Sequence, residues 1–135
     1  MASAEKSLNA AVVGAAGYVG GELLRLLAGH PQIADLRGYS SSSAGRPWSE
    51  AHPSLVNLEN RRDFEDLDPE GAGRYADVVF LALPHGQSQQ LLGAIEKGGP
   101  RLVVDTAADF RLSDRRLAET TYGPHQAPEL LGVFA

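Results

Sequence analysis

The sequence predicts one α/β domain built on a doubly wound, mostly parallel sheet, and three observations predict it. Short apolar runs recur at Leu8–Val13, 76–84 and 101–105, and a second strand is expected at Ile33–Tyr39. The clearest of them, 76–84, is continuous rather than alternating, as in a strand covered on both faces. Two stretches between the runs, 22–27 and 87–97, carry apolar residues at helical spacing. Strands that alternate with helices pair in parallel through right-handed crossovers, which places helices on both faces of one sheet. A chain of 135 residues suffices for one such core and falls short of two, so residues 1–135 are read as one domain.

Each element has its own signal. Leu8–Val13 reads as a buried strand. Leu23, Leu24, Leu26 and Leu27 form the stripe of a first helix, stopped by Gly29 and Pro31. Ile33–Tyr39 is a second strand, and the composition of "SSSSAGRP" after it makes a loop. Residues 62–64 predict a short, weak strand. "ADVVFLALP" at 76–84 is the strongest strand signal. Leu91, Leu92 and Ile95 share one side of the next helix, which ends at "GG". Residues 101–105 form the last strand. Beyond Asp109 the chain turns polar, and only short helices are expected, near 113–119.

Composition narrows the function classes. A hydrophobic content of 43% and a charged content of 21% are those of a soluble globular protein. The net charge of −5 argues against a general nucleic-acid binder, which needs clustered Lys and Arg. No apolar run approaches the roughly 20 residues of a membrane span. The opening "MASAEKSLNA" lacks the apolar core of a secretory signal, so the cytoplasm is the expected location. The chain has no cysteine, which removes disulfides, thiolate metal sites and a thiol nucleophile. No histidine–carboxylate set has metal-ligand spacing, and no metal is expected.

The chemistry starts at "VVGAAGYVGGELLRLL". Gly14, Gly17 and Gly20 fall where the first strand becomes the first helix, the context that raises a glycine motif above chance. Gly14 permits a tight turn off the strand, Gly17 keeps a side chain away from a pyrophosphate, and Gly20 lets the helix approach the sheet. The helix then aims unpaired N–H groups and the positive end of its dipole at an anion. The motif predicts a Rossmann-type dinucleotide turn, with Gly14, Ala15, Ala16, Gly17, Tyr18 and Val19 as its cofactor-binding residues; a βα turn whose glycines serve geometry alone is the bland alternative.

An NAD site usually places an acid at the tip of the second strand, roughly 20 residues on, to hold the ribose hydroxyls. Asp35 has nearly that spacing, but the strand signal continues through Leu36 to Tyr39 and leaves it inside the strand. The tip reads Ser40, Ser41, Ser42, Ser43, Ala44, Gly45 and Arg46. Hydroxyls, bare amides and one guanidinium suit a 2′-phosphate better than a diol, which favours NADP(H) over NAD. A flexible serine loop and a solvated arginine are the bland alternatives.

The second wall of the crevice is expected at "LALPHGQS", because ligands on open α/β sheets sit beyond the carboxyl ends of strands. Leu83, Pro84, His85 and Gly86 should face the dinucleotide, with Ser88 at or beside the cap of the following helix. A lone loop histidine is more often structural, so His85 is read only as a possible auxiliary in proton transfer or orientation. Asp105, Thr106 and Asp109, at and beyond the end of the next strand, lie where a cofactor's nicotinamide half would pass, and an Asp109–Arg111 pair across that loop is an equal alternative to substrate contact. His30 and His52, each before a proline, read as structural, and His125 as uninformative.

"GAAGYVGGELLRLL", "HP", "SSAGRP", "HPSL", "DVVFLALPHGQS", "ADFRLSD" and "YGPHQAPELL" together resemble the N-acetyl-γ-glutamyl-phosphate reductase family, including its relative that reduces a carrier-bound aminoadipyl phosphate in lysine biosynthesis. The resemblance covers nearly the whole chain. Aspartate-semialdehyde dehydrogenase shares the architecture but matches "ALPHG" and "ADFRL" less well. Ala107 departs from the serine usual in the family before "ADFR", which puts one hydroxyl contact in doubt. The resemblance implies NADPH-dependent reductive dephosphorylation of an acyl phosphate, through a cysteine thioester, to a semialdehyde in arginine or lysine biosynthesis. It also implies that the cysteine lies in a later catalytic domain, that this chain corresponds to the nucleotide-binding half, and that it is inactive alone. A homo-oligomeric full-length protein, and a surface here that the missing domain would cover, follow from the same likeness. A stand-alone NADP(H)-binding or sensing module without activity and an aspartate-semialdehyde dehydrogenase-like NADP-binding domain are the alternatives, and a dehydrogenase that acts through His85 alone is a weaker third.

Overall fold

The computed structural model describes residue 5, residues 7–58 and residues 61–132. Residues 1–4, Lys6 and residues 133–135, which include most of the opening stretch and the end of the chain, lie outside the described residues. Four strands form the sheet: β1 (Leu8–Val13), β2 (Ile33–Tyr39), β3 (Val78–Leu81) and β4 (Leu102–Asp105). Their order is β2-β1-β3-β4, and every pairing is parallel. The helices of the crossovers are α1 (Tyr18–Ala28), a short α2 (Trp48–Ala51), α3 (Pro69–Tyr75) and α4 (Ser88–Gly98), and α5 (Arg115–Tyr122) follows the sheet.

β1 shows why both faces are covered. Its residues Ala10, Ala11, Val12 and Val13 are all fully buried, and successive side chains in a strand point to opposite faces. Ala10 and Val12 pack with Leu24 and Leu27 of α1, with Ile33 and Leu36, and with Trp48, Leu55 and Phe64. Ala11 and Val13 pack on the other side with Ala72, Val79, Leu81 and Ile95. The doubly wound sheet therefore has two cores, with α1 on one face and α3 and α4 on the other.

Two expectations need correction. Residues 62–64 form no strand; only isolated bridges tie Tyr39 to Glu65 and Pro47 to Asp63. Phe64 is 2% exposed and enters the α1-side core, which accounts for the apolar signal there. The strand expected over 76–84 is shorter, ending at Leu81, so that 82–87 belong to the loop. The helix that the alternation requires before the third strand, to which the sequence assigns no bounds, is α3. It is started by Asp68, whose carboxylate accepts the Gly71 N–H at 3.0 Å, followed by Pro69 at the first helical position.

Candidate dinucleotide site

The chain leaves β1 for β2 on one side and reaches β3 on the other, so the switch in strand order falls at the carboxyl ends of β1 and β3. A cleft of about 360 Å³ opens there. Val13, Gly14, Ala16 and Gly17 supply its floor from the first crossover, Tyr39, Ser40, Ser41 and Ser42 one side, and Ala82, Leu83, Pro84 and Gln87 the other.

The three glycines of the turn have different reasons to be bare. Gly14 has φ +83°, and a Cβ there would lie 2.4 Å from the Ala82 carbonyl oxygen. Its N–H and that of Ala15 both donate to the Tyr39 carbonyl, at 3.1 and 3.0 Å. A Cβ on Gly20 would lie 2.3 Å from the Gly14 oxygen, so this glycine sets how closely α1 approaches the turn. Gly17 is unlike both. A Cβ there would meet nothing nearer than the Gly14 oxygen at 3.7 Å, an ordinary contact. Packing does not require a glycine at that point.

Gly17 is also the residue before α1, which has no side-chain cap and no acid in its first turn. The amides of Ala16, Tyr18 and Val19 find no acceptor among the described residues. Free donors at the start of an eleven-residue helix suit an anion. The donor set and the open space at Gly17 fit a dinucleotide pyrophosphate.

The serine tip is divided. Ser40 is buried, donates its N–H to the Glu65 carbonyl at 2.9 Å and shares a hydroxyl contact of 3.3 Å with Ser42. Ser43, Gly45 and Arg46 lie outside the lining of the cleft. The Arg46 guanidinium rests 3.3 Å from Glu50, with both side chains exposed. Asp35 lies inside β2 and is engaged there, accepting from Arg62 Nη1 and from the Tyr75 hydroxyl, each at 2.7 Å. Burial pushes its carboxyl up, but the Tyr75 hydroxyl and Arg62 outweigh that and hold it below the usual carboxylate range. Burial, then the bond to Asp35, drives the Tyr75 phenol well above its ordinary value.

On the second wall, Leu83 and Pro84 line the cleft, whereas His85 and Gly86 do not. These two are held by Asp109, whose side chain is fully inaccessible. Asp109 Oδ1 lies 2.7 Å from His85 Nδ1 and accepts the Gly86 N–H at 2.8 Å, and Oδ2 accepts the Gln89 N–H at 3.2 Å. The pair that forms is thus Asp109–His85, in place of the expected Asp109–Arg111. His85 is half exposed, with its ring 5.5 Å from that of Tyr122. Ser88 is the first residue of α4 and does not cap it; its hydroxyl donates to Asp105 Oδ1 at 3.0 Å. Ala107, at the departure noted above, donates its N–H to the same oxygen at 3.0 Å. Burial raises the Asp105 carboxyl despite these two bonds.

Sequence reasoning missed two connections. His125 donates from Nε2 to the Asp109 carbonyl at 2.7 Å and accepts the Ala127 N–H at Nδ1, which fixes its tautomer. His52 donates from Nε2 to the Ala15 carbonyl at 2.7 Å. No local spacing signals either contact, because the partners are 16 and 37 residues apart. Tyr18 is 98% exposed and Val19 53%; Tyr18 borders a separate cleft of about 560 Å³ that Gly21, His52 and Pro53 also line. Ala15 is fully buried beneath the turn. Among the described residues no group of histidines and carboxylates gathers to hold a metal, and no helix is long and apolar enough to cross a membrane.

Residues 9–131 match the family model for the semialdehyde dehydrogenase NAD binding domain. The chain belongs to this family. It is 44% identical over 125 residues to the N-acetyl-gamma-glutamyl-phosphate reductase of Rubrobacter xylanophilus, covering 93% of this chain and 36% of that protein. It is 43% identical over 129 residues to a Pyrococcus furiosus protein named for LysW-L-2-aminoadipate and LysW-L-glutamate phosphate reductase activity, again over 36% of that protein. The chain therefore spans little more than a third of the length of these relatives. Among solved structures, the Candida albicans aspartate semialdehyde dehydrogenase with NADP matches 77% of the chain at a TM-score of 0.60 and 32% identity. The Vibrio cholerae aspartate semialdehyde dehydrogenase II, at 17% identity and a TM-score of 0.63, shares the fold.

Proposed function

We propose that this chain is the NADP(H)-binding part of an acyl-phosphate reductase that makes N-acetylglutamate semialdehyde, or its aminoadipate counterpart on a carrier protein, in arginine or lysine biosynthesis. The observation that carries the binding role is the room at Gly17, where the protein has no packing reason for a missing side chain. Ala16, Tyr18 and Val19 offer their amides to the pyrophosphate. Leu83 and Pro84 present an apolar wall to the dinucleotide, and Asp109 keeps the loop behind them in one conformation. The engagement of Asp35 by Arg62 and Tyr75 removes the acid that a diol would use, and the Ser40–Ser42 hydroxyls favour a 2′-phosphate.

When bound, the cofactor supplies hydride. The thiol that would form the acyl-enzyme is not in this chain, which has no cysteine, and the first step of covalent acyl transfer needs one. The catalytic domain is the expected partner, in a cytoplasmic homo-oligomer. The 36% coverage of the reductase relatives supports a further domain, as do the exposed Tyr18, Val19, Leu117 and Tyr122.

Calorimetric titration tests the reading. NADPH should bind with one site per chain and more tightly than NADH, and the chain should oxidise no semialdehyde in the presence of phosphate. Failure to bind either nucleotide would overturn the binding role. Turnover by this chain alone would overturn the assignment of the missing thiol.

A further inference from the structure

His52 sits between α2 and a turn of 3-10 helix at Pro53–Leu55, 37 residues from the glycine turn. Its backbone is fixed on both sides: its N–H donates to the Trp48 carbonyl, and its own carbonyl accepts the Leu55 N–H, each at 2.9 Å. From there the imidazole reaches under the first crossover. Nε2 lies 2.7 Å from the Ala15 carbonyl oxygen, and a carbonyl only accepts, so Nε2 carries the proton. The ring stands edge-on to Phe64, with centroids 6.1 Å apart. It also passes so close to α1 that a Cβ on Gly21 would fall 2.4 Å from its Cε1 and Nδ1. Gly21 is thus bare to admit this ring.

The consequence lies in the peptide plane. The Ala15 carbonyl and the Ala16 N–H belong to one trans peptide unit and point in opposite directions. Holding the carbonyl toward His52 turns the Ala16 N–H away from it, on a residue that lines the cleft and whose amide has no acceptor among the described residues. We propose that His52 is a positioning residue for the dinucleotide: its hydrogen bond to Ala15 presets the Ala16 amide as a donor to the pyrophosphate. The inference rests on the cofactor reading above and deepens it by adding a residue outside the glycine motif. A donor already oriented before binding saves the cost of ordering the turn around the ligand.

The test replaces the donor while keeping the ring. In the full chain, His52→Phe retains the volume against Gly21 and Phe64 but donates nothing. His52→Gln places an N–H donor the same number of bonds from Cα. NADPH affinity is read from its fluorescence, and adenosine 2′-monophosphate, which lacks the pyrophosphate, is read by displacement. His52→Phe should weaken NADPH on the order of tenfold, leave adenosine 2′-monophosphate unchanged, and lower the melting temperature by a few degrees, because the Ala15 carbonyl loses its donor. His52→Gln should recover most of the loss. Gly21→Ala, which crowds the ring off Ala15, should reproduce the selective loss without altering His52. Equal NADPH affinity in His52→Phe and the parent would overturn the inference and leave the cofactor reading standing. So would a parallel loss of both ligands, which would mean a general disturbance of the fold. If the parent itself bound no NADPH, the cofactor reading would fail first and this inference with it.

Discussion

The two walls of the cleft are built by opposite means. The first crossover is a backbone structure: Gly14 and Ala15 donate to the Tyr39 carbonyl, Gly20 stacks on the Gly14 oxygen, and the groups left without an acceptor among the described residues are amides. The second wall is a side-chain structure: one buried carboxylate, Asp109, gathers His85, Gly86 and Gln89, and His125 pins the Asp109 carbonyl from behind. The first wall fixes its shape by leaving side chains out, and the second by burying one. Damage to the first should come from adding atoms, and damage to the second from removing them.

The largest effect belongs to the first wall and splits it internally. Gly14→Val sets a β-branched residue at φ +83° with its Cβ 2.4 Å from the Ala82 oxygen. The combined strain and clash should cost about 4 kcal/mol or more in urea unfolding. Gly17→Ala, in the same motif, should change stability by about 0.5 kcal/mol or less, since its Cβ meets only an ordinary contact. It should still lose NADPH affinity on the order of tenfold, because the methyl group occupies the space of the pyrophosphate. Equal destabilisation by the two substitutions would reduce all three glycines to geometry and remove the main support for a bound anion.

Next in size is Asp109→Ala. It strands the Gly86 and Gln89 amides in a protein interior and frees His85, and should cost about 3 kcal/mol in the same unfolding measurement. Asp109→Asn keeps one acceptor oxygen and should lose about half as much. A cost for Asp109→Ala no larger than that of a surface substitution would show that the second wall, like the first, is held by its backbone.

This contrast also explains what could be read in the sequence. β1 is legible to the residue because its apolar residues Ala10–Val13 are buried, and β2 because Ile33, Leu36 and Tyr39 carry its buried positions around half-buried Asp35 and Arg37. The glycine turn is legible because the Gly14 turn and the Gly20 approach to Gly14 are local, although the Ala82 oxygen that crowds Gly14 comes from a distant strand end, and Asp35 could be placed inside β2 because the strand signal continues through Leu36 to Tyr39. α3 is expected from the alternation, but its bounds are not legible because Gly71 and Gly73 depress helix propensity, although Gly73 is what allows close packing: a Cβ there would lie 2.1 Å from the Ile95 carbonyl oxygen of α4. Residues 62–64 misled because a single buried aromatic, Phe64, gives the signal of a strand without its ladder. The Asp109–His85 and His52–Ala15 contacts join residues 24 and 37 positions apart, and nothing local announces which partner a buried acid or a loop histidine will find.

The smallest effect on stability falls on Arg46, and it sharpens the comparison by asking whether any side chain belongs to the first wall. Arg46 and Glu50 are both exposed, and their contact is 3.3 Å. An exposed ion pair at this spacing is worth about 0.5 kcal/mol or less, so Arg46→Ala should leave the unfolding curve almost unchanged. The same weakness makes the guanidinium easy to release toward a phosphate arriving at the serine tip, where its planar donors outcompete a monodentate contact with Glu50. Arg46→Ala should therefore weaken NADPH about fivefold while leaving NADH unchanged, a difference of about 1 kcal/mol, read in paired titrations at fixed salt because the contribution is screened. An unchanged NADPH-to-NADH ratio would leave the 2′-phosphate to the Ser40–Ser42 hydroxyls and amides, and the first wall would then be backbone and serine throughout.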